Sequence, residues 1–374
     1  MSVHAGAPAG AVAHAERAGG LVVTAERLRA QLEALFTAWT GPEHARASAQ
    51  TLVEADLMGI DSHGITLVPL YEELVRSGKI ARDPQVGVAH AFGAVATIDG
   101  GGGFGHAPSL QAMDLAVEKA RAFGIGAVGV RHSNHFGAAG VYALRAAAEG
   151  MIGVVTSAVH LPSIVPVFGR VPRMGTNPIA FAAPGAEGAP FLLDIATSTI
   201  AIGKLKLAAR EGRSLPEGWA VDRDGKPQND PEAALRDRMM TPLGGSRAMG
   251  GHKGYGLAAM VEILSTLLPG ASYAPLRDPD AAHYDVGHFC LALHPDAFRE
   301  AGGFGRDLDA FVACLRETPP AEGCERVLAP GDPEHAMRAV RARDGIPVPR
   351  SLADAARAIA AERGVRFLLE DPAE

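Results

Sequence analysis

Between Ala94 and Ser157 the sequence reads strand, helix, strand, helix, strand, and that alternation restricts the chain to a layered α/β architecture. Ala94–Ile98 has strand character, Asp99 to Gly105 is a glycine-rich turn, and Pro108–Phe123 is a helix opened by its proline. Ile125–Val130 is the next strand, Ala138–Glu149 the next helix, and Ile152–Ser157 the strand after it. The middle strand runs out into Arg131-His132-Ser133-Asn134-His135-Phe136-Gly137 before a helix begins. Polar side chains at such a strand end are where α/β proteins gather their chemistry.

The flanks have a different texture. Thr24 is placed to cap a helix whose Leu28, Leu32, Leu35 and Phe36 share one face, and Gly41-Pro42 ends it. A second helix spans Glu43–Met58, Asp61-Ser62-His63-Gly64 interrupts, and a third covers Val68–Ser77. Beyond the α/β core, Ile179–Ala183 and Phe191–Ile195 read as strands, Ser198–Arg210 as a helix, and Gly218–Pro231 as a loop or hairpin. The glycine-rich Gly244–Gly256 reads as a loop, and the helix Leu257–Leu268 is apolar all round, which predicts burial, against another subunit if not within the chain. The last third holds a strand, His288–Leu293, and helices over Phe304–Thr318 and Pro333–Arg343. The expected division is a disordered tail over 1–20, a helical and mixed domain formed by 21–85 with 257–374, and a central α/β domain over 86–256.

Charge and cysteine content narrow the function classes. A formal net charge of −7 without a basic run speaks against nucleic acid or an anionic membrane as the main partner. Cys290, Cys314 and Cys324 have no Cys-x-x-Cys spacing, so neither a disulfide framework nor a zinc ribbon is indicated, and a reducing cytoplasm fits. No apolar run reaches the ~18 residues of a membrane span, and the start of the chain lacks a signal pattern.

Several short segments carry chemistry-bearing side chains. His63 stands between helices beside Asp61 and Ser62, where a hydroxyl fixes an imidazole tautomer, although a plain helix cap explains the same residues. His132 and His135 are spaced to share a metal, but no third ligand follows at a recognisable spacing. Gly175-Thr176-Asn177-Pro178 is a turn with backbone amides for a phosphate or an amide-bearing ring, or simply a proline-bounded turn. Asp194-Ile195-Ala196-Thr197-Ser198 ends a strand with a carboxylate that caps a helix, binds beside an anion site or orients a histidine. His252-Lys253-Gly254-Tyr255-Gly256 offers a lysine suited to a phosphate. The run Gly100 to Gly105 fits G-x-G-x-x-G, but the following strand ends in Arg131-His132 rather than an acid for a ribose, so it reads as a turn and not as a Rossmann phosphate loop.

In order along the chain, Asp61-Ser62-His63-Gly64, Ser133-Asn134-His135-Phe136-Gly137-Ala138-Ala139-Gly140, Gly175-Thr176-Asn177-Pro178, Asp194-Ile195-Ala196-Thr197-Ser198, Gly203-Lys204, Pro216-Glu217-Gly218-Trp219-Ala220 and Lys253-Gly254-Tyr255-Gly256-Leu257 together resemble the malate/L-lactate dehydrogenase family of the non-Rossmann kind. L-sulfolactate dehydrogenase, ureidoglycolate dehydrogenase, diketogulonate reductase and cyclic-imine reductases are among its members. The resemblance implies an L-sulfolactate dehydrogenase-like α/β fold, with helical N- and C-terminal parts beside a central layered domain that binds the cofactor. It also implies a homodimer or larger homo-oligomer and an NAD- or NADP-dependent oxidoreductase. Hydride passes between the nicotinamide C4 and a carbonyl or imine carbon while a histidine handles the proton. By the same resemblance Ser62, His63 and Asp194 form a relay with His63 as proton donor, and His135 matches a proton acceptor. His135, Gly175, Thr176, Asn177, Ser198, Lys253 and Gly254 match cofactor-binding positions.

One departure bears on substrate choice. Family members that act on 2-oxo acids carry an arginine four residues after the histidine of Ser-His-Gly, where its fork holds the substrate carboxylate, and here that residue is Leu67. His160 also lies near a place where several members have a carboxylate. The leading expectation is a 2-hydroxy-acid/2-oxo-acid oxidoreductase whose carboxylate grip has moved, to Arg131, Arg170 or Arg173, or whose substrate lacks that carboxylate. The alternatives are an NADPH-dependent cyclic-imine (ketimine) reductase, a catalytically retired nucleotide-binding homologue, and, more distantly, a zinc hydrolase.

Overall fold

A computed structural model describes residues 19–278 and 280–370; most of the expected N-terminal tail lies outside the described residues. In chain order the strands are β1 (Leu21–Val23), β2 (Gly87–Phe92), β3 (Val95–Asp99), β4 (Ile125–Ser133), β5 (Ile152–Ser157), β6 (Ile179–Ala183), β7 (Phe191–Ile195), β8 (Val286–Leu293) and β9 (Ile346–Val348). The helices are α1 (Ala25–Trp39), α2 (Pro42–Leu57), α3 (Val68–Arg76), α4 (His106–Phe123), α5 (Ala139–Ala148), α6 (Ile202–Arg210), α7 (Pro231–Asp237), α8 (Gly251–Glu262), α9 (Gly303–Arg316), α10 (Asp332–Asp344) and α11 (Arg350–Glu362).

β2 to β8 form one seven-stranded sheet in the order β2-β3-β4-β8-β5-β6-β7. Only β3 and β4 pair in parallel, through a crossover by α4; the other pairs are antiparallel. β8, expected within the helical and mixed part, instead lies at the centre of this sheet between β4 and β5, with Cys290 and Ala292 fully buried. α4 and α5 cover one face of the sheet with small residues, among them Ala112, Ala116, Ala143 and Ala146, packed on Val128, Val130, Val155 and Ala180. Gly126 lies so close to the backbone of Ala116 that no Cβ would fit, which explains a glycine inside a strand.

The second core joins the two ends of the chain. Leu28, Leu32, Phe36 and Trp39 of α1 pack with Leu52 of α2, Tyr71 of α3, Ile346 and Val348 of β9 and Ala353 of α11, while β1 pairs antiparallel with β9. Phe104, from the glycine-rich turn, belongs to this core, edge-on to Phe36 at 5.0 Å. The turn therefore anchors the sheet to the helical part. Its amides are already engaged: Gly101 N–H donates to Asp99 Oδ1, Gly102 N–H to the His132 carbonyl and Gly105 N–H to the His135 carbonyl. None of these three is left for a phosphate, as expected of a turn.

Where the elements differ from expectation, the causes are local. The expected loop Gly244–Gly256 is helical from Gly251, because Gly254 packs against the Leu243 backbone too closely for any side chain. α8 runs on through a π-helical turn, Ile263–Leu267, and its apolar coat is only half covered: Leu257, Met260, Ile263, Leu267 and Leu268 are exposed. β2, α7 and α11 were not expected, and the outward side of β2 is polar or exposed along its length, which leaves no apolar alternation to read.

Candidate functional site

The seam between the helical part and the sheet brings the two histidine segments together. His63 ends a one-turn 3-10 segment, Asp61–His63, and His135 lies in the connection from β4 to α5; their rings face each other with centroids 5.8 Å apart. Ser62 Oγ is 2.8 Å from His63 Nδ1. Burial lowers the His63 pKa from its ordinary value, keeping the ring neutral more of the time.

The 3-10 segment is held from behind. Arg341 of α10, itself buried, donates from Nη1 to the Asp56 carbonyl and to Asp61 Oδ1, both at 2.5 Å, and from Nη2 to Asp61 Oδ2 at 3.2 Å. Asp56 Oδ2 accepts the Ile65 N–H at 2.8 Å, and the Asp56 carboxyl occupies the space where a side chain on Gly64 would stand. The glycine after His63 is thus a packing requirement. Burial lifts the Asp56 pKa to about 7.

His135 is enclosed by other groups. Its Nδ1 is 2.9 Å from Tyr71 Oη and also faces the Gly137 N–H at 3.4 Å, while Tyr71 Oη reaches His106 Nε2 at 3.1 Å. Burial, with the imidazoles of His63, His106, His160 and His288 around it, pulls the His135 pKa well below the ordinary histidine value. His106 is held at about 3, chiefly by burial. His288 is likewise held at about 3; its Nε2 meets Ser133 Oγ and the Asn134 carbonyl at 3.1 Å each and its ring stacks on Phe136.

Asp194 is engaged at the start of α5. Its Oδ2 accepts the Gly140 N–H at 2.7 Å, at the first turn of α5, which no side chain of the preceding residues caps. A carboxylate at a helix N-terminus is favoured by the exposed amides and the helix dipole. Burial raises the Asp194 pKa to about 6.

The other expected binding positions assemble into a framework. Asn177, in the left-handed region at φ 38°, donates from Nδ2 to the Ala258 carbonyl at 3.1 Å and to Glu262 Oε2 at 2.8 Å, and its Oδ1 accepts the Val159 N–H. Thr197 donates to the carbonyls of Thr176 and Asn177, Ser198 Oγ to the Ile200 carbonyl, and Gly175 packs on Val159. Leu243 N–H donates to the Thr197 carbonyl and Gly254 packs on Leu243. The side chains of Asn177 and Ser198 therefore hold backbone in place, while Lys253 is exposed and makes no ion pair among the described residues. Beside the framework lies a cavity of about 350 Å³, lined by Phe168, Arg170, Gly218, Thr241, Gly245 and Arg247 among others.

Three arginines were expected to grip a carboxylate. Arg131 Nε is 3.5 Å from Asp99, Arg170 lines the cavity just described, and the Arg173 carbonyl accepts the Tyr273 hydroxyl. His132 bonds Asp99 at 2.8 Å and is exposed, away from any pairing with His135. Among the described residues no group of three or more His, Cys, Asp or Glu is arranged to hold a metal ion, and no helix is long and apolar enough to cross a membrane.

A cation near the histidines escaped the sequence reading. The His160 ring stacks on Tyr284 at 4.2 Å, and the Arg277 guanidinium lies over the same Tyr284 ring at 4.9 Å. Arg277 Nη1 is buried without a hydrogen-bond partner. Burial, then Arg277 and Arg238, hold the His160 pKa at about 4. Tyr71, His106 and Arg341 were also missed, since isolated aromatic and basic residues inside helices carry no local pattern.

Comparison with known proteins fits this geometry. The family model described as malate/L-lactate dehydrogenase matches residues 23–356. A malate dehydrogenase of Pyrococcus abyssi is 38% identical over 331 residues, covering 88% of this chain and 91% of the relative. The solved sulfolactate dehydrogenase of Methanocaldococcus jannaschii superposes with a TM-score of 0.84 at 34% identity, over 93% of this chain and 98% of that one. A delta1-piperideine-2-carboxylate reductase of Pseudomonas syringae pvar. tomato matches with a TM-score of 0.80 at 32% identity, over 91% and 98% of the two chains. With the family model matched over residues 23–356 and a relative 38% identical over 88% of the chain's length, the chain belongs to the malate/L-lactate dehydrogenase family of oxidoreductases.

Proposed function

We propose that this oxidoreductase interconverts a small 2-hydroxy acid and its 2-oxo acid with NAD or NADP. The observation that carries the reading is the facing His63–His135 pair, one ring tied to a hydroxyl and the other to a tyrosine. The substrates named for the relatives, malate, sulfolactate and piperideine-2-carboxylate, each carry a carboxylate next to the reacting carbon.

When bound, the nicotinamide supplies or takes the hydride. In the reducing direction His63 gives its proton to the substrate oxygen and is reset through Ser62, while the His135 ring lies against the same oxygen. Arg277 takes the substrate carboxylate in place of the side chain missing at Leu67, because its buried Nη1 has no other partner and Tyr284 holds its guanidinium flat. The framework around Asn177, Thr197 and Leu243 fits a dinucleotide as a rigid wall. Arg170 and Arg247, which line the neighbouring cavity, and the exposed Lys253 are the cations offered to its phosphates.

A second reading, cyclic-imine reduction, is favoured by the likeness to the piperideine-carboxylate reductase and uses the same groups on a C=N bond. Fluorescence titration with NADH and NADPH, then a panel of 2-oxo acids and cyclic imines, separates the two. Binding of neither nucleotide would overturn both. Arg277→Gln raises KM for the preferred acid by about tenfold or more with a smaller change in kcat. The exposed apolar face of α8 and Ile263–Leu268 is the surface through which the chain forms a homodimer, which light scattering tests.

A further inference from the structure

We propose that Tyr71, backed by His106, is a positioning residue that pins the proton of His135 on Nε2, so that His135 meets the substrate as a hydrogen-bond donor and leaves proton transfer to His63. The proposal rests on the function proposed above but is decided by a measurement that needs no turnover.

A tyrosine hydroxyl has one proton and stands here between two ring nitrogens, His106 Nε2 at 3.1 Å and His135 Nδ1 at 2.9 Å. It donates to one and must accept from the other. Two neighbours decide the direction. The Gly137 N–H points at His135 Nδ1, which is therefore the bare nitrogen that accepts. His106 Nδ1 is buried without a partner, so a proton there would be a buried donor with no acceptor, whereas a proton on Nε2 is used by Tyr71. Both conditions give the same chain: His106 Nε2–H donates to Tyr71 Oη, and Tyr71 O–H donates to His135 Nδ1. The reverse chain sets two N–H groups against each other at Gly137 and strands a third at His106.

His135 is then a neutral imidazole with its N–H at Nε2, on the side of the ring away from Tyr71 and Gly137. The titratable groups that act on it are imidazoles, those of His63, His106, His160 and His288, and no carboxylate among the described residues stabilises a charge on it. A second proton has no support at Nδ1, where two donors already point. His63 contrasts at the same atom: its Nδ1 meets a serine hydroxyl, which can give or accept. The division follows from hydrogen-bond partners alone: one ring keeps its proton, and the other exchanges it.

Histidine-labelled protein in the absence of substrate tests this by 15N NMR, which distinguishes protonated from bare ring nitrogens. The expected His135 spectrum has a bare Nδ1 and a protonated Nε2, unchanged between about pH 5 and 8. Tyr71→Phe removes the lock and is expected to give mixed tautomers at His135, with a fall in kcat of about tenfold to a hundredfold and little change in KM. A protonated Nδ1 in the wild-type protein would overturn the proposal, as would an unchanged His135 spectrum in the folded variant. If Tyr71→Phe does not fold, the wild-type spectrum decides alone. A locked His135 in a protein that binds no nucleotide would leave the tautomer assignment standing and refute the proposed function instead.

Discussion

His63 and His135 lie 5.8 Å apart, yet the chain treats the two rings in opposite ways. His135 is held by Tyr71 of the helical part, itself backed by His106 of α4, and by Gly137 of its own connection. Among the described residues His63 has one side-chain hydrogen-bond partner, Ser62, on a short 3-10 segment that Arg341 and Asp56 brace from below rather than at the ring. Enclosing a ring removes its proton exchange, whereas bracing only the backbone beneath a ring fixes its place and leaves its proton free. A site for hydride transfer with a coupled proton needs one of each kind.

The comparison breaks first at His63. His63→Ala is expected to slow turnover by about 10²–10⁴-fold in either direction, as loss of a general acid does; steady-state rates with the preferred acid check it. The next largest effect concerns the brace. Asp56 has a folded pKa of about 7 against 3.8 ordinarily, so the fold holds its proton more tightly than the unfolded chain does. Its stability contribution is present below pH ~4 and is lost as pH rises to ~7. Asp56→Asn removes that loss, and denaturant melts of the two proteins should diverge across this window by about 2–4 kcal/mol, at ~1.4 kcal/mol per unit. His135→Ala costs about a hundredfold in kcat by loss of a fixed donor, less than His63→Ala. Smallest is Arg341→Leu. Asp61 is largely exposed and regains water, so the loss is about 1–2 kcal/mol of stability, seen as a lower Tm.

The sheet was legible because its strands and covering helices carry long apolar runs, and Ile125 to Val130 or Ile152 to Ser157 cannot be read otherwise. β8 was found as a strand but not as the central one, since nothing in the residues of a strand names its neighbours. Within the site, Ser62, His63 and His135 stood out as polar residues at breaks in regular structure. Tyr71 did not, because a tyrosine on the apolar face of α3 looks like core, and it is core: its ring packs on Phe36 and Phe104 while only its hydroxyl serves the site. Arg341 was invisible because it lies far along the chain from Asp56 and Asp61, and Arg277 because nothing in the sequence sets its neighbour Tyr284 against His160. The even apolar coat of the helix after Gly256 was readable, but not that one side of it would remain uncovered within a single chain.

The central claim is that His63, and not His135, carries the titrating proton. Single-turnover reduction of the preferred 2-oxo acid, followed as a function of pH in the wild-type protein, His63→Gln and His135→Gln, tests it most directly. Because reduction needs His63 protonated and burial lowers its pKa, the wild-type rate should rise as pH falls through a midpoint below 6.5. His135→Gln, which retains a donor, should be slower with that midpoint unchanged, and His63→Gln should show a flat profile. A flat profile in His135→Gln with the titration preserved in His63→Gln would contradict the account.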